Sequence, residues 1–133
     1  MVSALKQVLW DASVLAEFQP SVDVSPYGQE TPMQALGGCW AYEYQHDGQR
    51  VLIAVRPVPQ GQGVRLDLCG LVSTGRRFVA GELDRVLAQI ATEHRASSFV
   101  MSTMRPHLVK ACLRHGWKKT GVIMQKEVSR HEQ

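Results

Sequence analysis

Few residues in this chain are of types that do chemistry, and they are scattered. Glu43 and Asp67 fall within runs that alternate like strands, on the polar face of each. A carboxylate so placed can take a proton beside a cleft, or can be an ordinary solvent-facing residue of a half-exposed sheet. Cys39, Cys69 and Cys112 form an odd, widely spaced set with no C-x-x-C pair. They suggest neither a zinc site nor a disulfide framework, and read most simply as buried thiols. His107 and His115, eight residues apart, share roughly one face of a predicted helix. His115 lies where an imidazolium would complement the helix dipole. No His/Asp/Ser or metal-ligand spacing is visible, which weighs against nucleophilic triads and metal-assisted hydrolysis. Trp40, Tyr42 and Tyr44 alternate along one strand. Such a row packs under a helix, or else its hydroxyls orient an acceptor or its rings stack on a base.

The elements that must position these residues can be read from hydrophobic spacing. Val2 to Phe18 has its apolar residues at helical intervals, with a break at Asp11, which could cap a second short turn. Gln19 to Gly38, with three prolines and three glycines, predicts an irregular connection long enough to be a binding loop. Cys39 to Gln45, Arg50 to Arg56 and Val64 to Val72 read as three strands of a meander. Asp47-Gly48 turns the first hairpin, and Pro57 and Pro59 close the second strand. In the third, Val64, Leu66, Leu68, Gly70 and Val72 alternate against Arg65, Asp67, Cys69 and Leu71.

The period then changes. Val79, Leu83, Val86, Leu87 and Ile90 line one face of a helix running to about His94. Ser98 to Thr103 reads as a short strand. Pro106 starts a further helix and Gly116 stops it. Thr120 to Val128 reads as a last strand, before a polar tail over 129–133. The order predicts one α/β domain over 1–133, with residues 1–37 an N-terminal helix and loop. Its sheet would be mixed and mostly antiparallel, flanked by helices.

That order, together with the run Arg105 to Trp117 and its Gly116-Trp117 close, resembles the GNAT superfamily of N-acyltransferases over Gly38 to Val128. The resemblance implies a GNAT-like fold and transfer of an acetyl or related acyl group from acetyl-CoA, or another acyl-CoA, to an amine. In the family, a loop after the central strand holds the carrier's pyrophosphate on backbone N–H groups at a helix N-terminus. The matching stretch here runs from Val72 to Gly81. Leu71, Ser73, Thr74, Gly75, Arg76, Arg77, Phe78 and Gly81 are its implied carrier-binding residues. Gly75 permits close backbone approach, Ser73 and Thr74 add hydroxyls, and Arg76 and Arg77 can pair with phosphates, where the family more often has glycines. The alternative is a plain strand-to-helix turn with Ser and Thr caps and two solvated arginines.

Three further roles are implied by the resemblance. Cys112 stands where members often carry a Tyr that protonates the departing thiolate. Arg105 stands where an Asn contacts the pantetheine arm; here it either meets a phosphate or the acceptor or simply lies exposed. Asp67 or Glu43 would act as base for direct attack by the amine, and a backbone N–H near Cys69 to Leu71 would polarise the thioester carbonyl. A GNAT-fold protein that binds or builds without catalysis, such as a bacteriophage accessory or virion protein, is the alternative. A nucleobase-modifying member of the superfamily is a weaker third.

Composition bounds these readings. At 133 residues, 44% hydrophobic and 20% charged, the chain suits an ordinary globular domain with a real core. A net charge of +3 tolerates an anionic ligand without the dense basic stripe of a nucleic-acid binder. Met1 to Trp10 contains Lys6 and Gln7 and no cleavage site, and no apolar run is long enough to span a bilayer. The expected location is the cytoplasm, as a monomer or homodimer, with no membrane partner.

Overall fold

The run Val51-Leu52-Ile53-Ala54-Val55 is buried throughout, the pattern of a strand covered on both faces. It lies in β3 (Gln49–Gln60), at the centre of a five-stranded sheet of order β1-β2-β3-β4-β5. The other strands are β1 (Ala4–Val8), β2 (Trp40–His46), β4 (Gly63–Thr74) and β5 (Ser98–Met101). The pairs β1–β2, β2–β3 and β3–β4 are antiparallel, and β4–β5 is parallel. The helices are α1 (Ala12–Glu17), α2 (Gln19–Asp23), α3 (Pro32–Leu36), α4 (Ala80–His94) and α5 (Pro106–Arg114). The computed structural model describes residues 4–24, 30–46, 48–74, 80–103, 105–126 and 128.

Two apolar layers hold the sheet. On one face Tyr42, Tyr44, Val51, Ile53, Val55, Leu66, Leu68 and Leu71 pack under Leu83, Val86, Leu87 and Ile90 of α4. All four belong to the helical stripe legible in the sequence, whose first member, Val79, lies outside the described residues. On the other face Leu52 and Ala54 meet Val14, Phe18, Leu36 and Cys39 around α1 to α3. Tyr42 and Tyr44 are therefore core residues with polar tips. The Tyr42 hydroxyl donates to Glu93 Oε2 at 2.8 Å, and Tyr44 donates to Glu82 Oε2 at 2.7 Å. Trp40, on the same strand, remains exposed and meets the edge of the His94 ring.

Four sequence expectations are corrected. Residues 4–8 form a strand paired with β2, from Ala4 opposite Gln45 to Val8 opposite Ala41, rather than the start of a helix. Leu5 and Val8, three apart, look like one helical face. In a strand they fall on opposite faces, Leu5 against the α4 layer and Val8 against the α1–α3 layer. Asp11 does cap a helix, its Oδ1 accepting from Val14 N at 2.8 Å.

The connection expected to be irregular contains α2 and α3, the latter held by a Thr31–Gln34 capping box. β3 continues through Pro57 and Pro59. Past Val55 it has lost β2 as a neighbour, so the open side has no ladder bond for a proline to forfeit. Finally, residues 117–126 and 128 have no helix or strand, and Val122, Met124 and Val128 are exposed. A strand is stable only beside a partner, and none pairs with this segment among the described residues.

α5 keeps its sequence-read bounds, with Pro106 in its first turn and Gly116 at φ +90 just past its end.

Candidate active-site cleft

β4 and β5 pair only from Arg65 opposite Ser98 to Leu68 opposite Met101. β4 then continues to Thr74, while the chain after Met101 turns away into α5. The parting opens a cleft of about 460 Å³ on the α2–α3 side of the sheet. Arg65, Asp67, Cys69 and Leu71 line it from β4, Arg56 from β3, Ser21 from α2 and Arg105 from the entry to α5.

A bulge in β4 sets which side chains face the cleft. Ala54 stands opposite Gly70 and Val55 opposite Leu68, so Cys69 has no partner on β3. The extra residue reverses the alternation beyond it. Leu71 joins Leu66 and Leu68 in the α4 layer, while Cys69 and Val72 pack toward α1–α3. This corrects the uninterrupted alternation read from the sequence. Gly70, also turned to that side, lies directly under the Phe18 ring.

Where a fifth strand would otherwise bond, Leu71 is served by side chains. Its N–H donates to Ser21 Oγ at 3.1 Å, and its C=O accepts from Arg105 Nη2 at 3.2 Å. Arg105 N in turn donates to Thr103 Oγ1 at 3.1 Å. Burial pulls the Arg105 pKa below the ordinary guanidinium value. The strand's exposed backbone groups are thus held at one point by a hydroxyl and a guanidinium, both replaceable by a ligand.

Asp67 is gripped by Arg65 of its own strand, Nε to Oδ1 at 2.7 Å and Nη2 to Oδ2 at 3.3 Å. Deeper in, Arg56 Nη2 reaches Cys69 Sγ at 3.4 Å and Ala35 O at 3.4 Å, while its buried Nε has no hydrogen-bond partner among the described residues. The Cys69 thiol is lowered to about 7, first by a hydrogen bond with Cys39 and then by the Arg56 charge, against burial and the charge of Asp67. Cys39 moves the other way, raised chiefly by its hydrogen bond with Cys69 and by burial.

The other candidates lie elsewhere. Glu43 is buried on the α1–α3 face, hydrogen-bonded by Gln45 and paired with Arg50 Nη2 at 3.4 Å. Arg50 is also bidentate to Glu17, at 2.9 and 3.0 Å. Cys112 is buried on α5, and burial, with the nearby Asp84 charge, pushes its thiol up. Neither lines the cleft. Ser73 and Thr74 are exposed at the end of β4, and Gly81 lies in the first turn of α4, where a Cβ would stand 3.7 Å from His115 Cε1. Gly75, Arg76, Arg77 and Phe78, like the turn residue Asp47, lie outside the described residues.

Strand alternation put Asp67 and Cys69 on one face, and the resemblance implied roles for Asp67, Leu71 and Arg105, but nothing in the sequence pointed to Ser21 or Arg56. A glycine inside an alternating strand, Gly70, is the signal that could have located the bulge. Among the described residues no helix is long and apolar enough to cross a membrane.

No protein-family model matches the chain, and none of the curated proteins does. Solved structures do. An aminoglycoside acetyltransferase from an uncultured soil metagenomic sample is 15% identical with a TM-score of 0.63, covering 97% of this chain and 100% of that one. A predicted acetyltransferase with acetyl-CoA from Clostridium acetobutylicum is 10% identical with a TM-score of 0.59, covering 95% and 96%. AAC(6')-Iy, in complex with the bisubstrate analog CoA-S-monomethyl-acetylneamine, is 11% identical with a TM-score of 0.54, covering 97% and 99%. Identities this low speak to architecture. The mixed five-stranded sheet between helices is the GNAT-like α/β fold of these neighbours.

Proposed function

We propose that the chain is an acyltransferase that moves an acetyl or related acyl group from acyl-CoA to an amine in the cleft between β4 and β5. The observation that carries this reading is the parting of the two parallel strands after Leu68 and Met101. It leaves a strand edge whose Leu71 N–H and C=O are held by side chains, the Ser21 hydroxyl and the Arg105 guanidinium, in a cleft flanked by polar groups. An extended thioester arm can occupy such an edge as an added strand would, through main-chain hydrogen bonds. Two similar folds support the carrier, since they are described with acetyl-CoA and with a CoA-containing analog.

In this reading the thioester carbonyl takes the Leu71 N–H from Ser21. Charge developing on its oxygen then meets a donor fixed by the sheet. Arg105, at the mouth, holds the arm or the first phosphate. The pyrophosphate lies beyond the end of β4, at Ser73, Thr74 and the stretch from Gly75 to Gly81, with Arg76 and Arg77 supplying charge-assisted hydrogen bonds. Asp67 faces the acceptor side and takes its proton. Much of the rate comes from holding both substrates together. Glu43 and Cys112 have structural parts in this proposal.

Calorimetric titration with acetyl-CoA tests it. Saturable binding is expected, weakened strongly by Arg76→Ala with Arg77→Ala. Absence of binding at millimolar carrier overturns the acyltransferase reading and leaves a protein that binds or builds on this fold. Unchanged affinity in the double variant moves the phosphates away from this turn.

A further inference from the structure

Among the described residues, five charged side chains line the cleft: the guanidiniums of Arg56, Arg65 and Arg105 and the carboxylates of Glu30 and Asp67. Positive charge is in excess by one, and residues 25–29, between the lining residues Val24 and Glu30, hold no charged side chain in the sequence. Arg105 is committed to Leu71 O. The other two arginines bracket Asp67. Arg65 grips it along β4, and Arg56 stands directly opposite it on β3. Arg56 is half-buried and weakly held. Its Nη2 makes long contacts of 3.4 Å to Ala35 O and Cys69 Sγ, and its Nε has no hydrogen-bond partner among the described residues. A guanidinium with donors to spare suits a carboxylate, which it can hold on two parallel N–H bonds.

Position separates this pair of arginines from the carrier. Arg65 and Asp67 lie where β4 is still paired with β5, before the strands part. The carrier's phosphates, in the reading above, lie past Thr74 at the other end of β4. The charge of Arg56 and Arg65 therefore faces the acceptor.

We propose that the acceptor is a free amino acid, its α-carboxylate held by Arg56 with Arg65 beside it, and its amine next to Asp67. The inference rests on the acyl-transfer reading above and narrows its acceptor. A cleft of about 460 Å³ that must also take the acyl end of the carrier has room for a small second substrate. Two guanidiniums near the amine favour its neutral, nucleophilic form, and the same charges repel a polycationic acceptor. The ammonium gives one proton through Asp67 to water. The amine then attacks the thioester carbonyl, and a carbon–nitrogen bond forms as the carrier's carbon–sulfur bond breaks. The second proton ends on the departing thiolate, and the product is an N-acyl amino acid.

Thiol release from acetyl-CoA tests this, followed with each standard amino acid, with the matching carboxamides and with spermidine. At least one free amino acid should be turned over. Its carboxamide keeps the amine and loses the negative charge, so kcat/KM should fall about tenfold or more, the scale of one lost charge-assisted hydrogen bond. Spermidine should be poorer still. Arg56→Gln should raise KM for the amino acid but not for its carboxamide, with thermal melts confirming the fold. The comparison of acid and amide in the parent chain does not depend on that variant. Calorimetry with acetyl-CoA separates two failures. If the carrier binds but no amino acid is acetylated, or carboxamides or spermidine are acetylated as fast as the free acids, the acceptor assignment is overturned while carrier binding keeps the acyl-transfer reading. If the carrier does not bind, that reading falls and the acceptor assignment falls with it.

Discussion

Phe18 packs its ring onto the backbone of Gly70, so close that a Cβ there would stand 2.9 Å from Phe18 Cδ1 and 3.0 Å from Cε1. Leu36 Cδ2 closes the same space at 3.1 Å. Both neighbours are buried core residues with no free end to swing aside. Gly70→Ala should therefore lower stability by about 1–3 kcal/mol, the usual cost of overpacking a filled core. Because Gly70 follows the bulged Cys69, the same change should disturb the cleft wall. Adding Phe18→Leu makes room, so the double variant should be more stable than the two single losses summed. Denaturant unfolding of the four proteins measures this coupling.

Glu43 and Glu17 share Arg50, and only Glu43 is buried. Arg50→Ala strands that carboxylate. Its expected cost is about 1–3 kcal/mol, between that of exposed and fully buried pairs. Glu43→Gln placed on Arg50→Ala should recover part of the loss, because an amide tolerates the same burial better. If Glu43 were instead the base, Glu43→Gln alone would depress kcat sharply. Its remoteness from the cleft leads us to expect a kcat close to that of the parent chain.

Arg105 reaches from the entry of α5 to Leu71 O. Arg105→Ala should leave that carbonyl without its partner and lower stability by about 1–2 kcal/mol. It should also weaken carrier binding, with a fall of about tenfold or more in kcat/KM for acyl transfer, the scale of one lost charge-assisted hydrogen bond. Thermal melts and steady-state kinetics read the two effects separately. A change in stability with unaltered kinetics would assign Arg105 to the fold alone.

Elements governed by local rules were legible in the sequence: the buried run of β3, the stripe of α4, and the Pro and Gly that bound α5. Those decided by partners were not. Residues 4–8 became a strand because they pair with the edge of β2, and residues 117–126 and 128 pair with no strand among the described residues. The same division runs through the cleft. Asp67 could be placed by its position along a strand, and Leu71 and Arg105 by the resemblance to the GNAT superfamily. Ser21 meets Leu71 across a long stretch of chain and two intervening strands, and Arg56, paired with Asp67 across the ladder, meets Cys69 on the diagonal. Neither contact leaves a periodic trace.

The reactivity of Cys69 should be strongly dependent on pH. Its thiol faces Cys39, Arg56 and Asp67, and titrates at about 7. The rate of alkylation by iodoacetamide, which needs no carrier, should rise through pH 7 and level off once the thiolate predominates. Arg56→Ala and Cys39→Ala each remove a group that favours the thiolate, so each should move the midpoint upward, toward the ordinary thiol value of about 8.5. The same shift governs stability. Below pH 7 the native and unfolded chains both hold the Cys69 proton, and the site contributes nothing. Between about 7 and 8.5 the native state has released it while the unfolded state retains it, so stability rises with pH. Cys39, raised in the fold, acts in the opposite sense: above about 8.5 the unfolded chain loses a proton that the native state keeps, and stability falls again. Denaturant midpoints measured across this range should therefore pass through a maximum in mildly alkaline buffer. Cys39→Ala should lessen the alkaline decline, the remainder coming from the Cys112 thiol, which burial also raises, and a flat profile in the parent chain would show that the Cys39–Cys69–Arg56 cluster holds no thiolate.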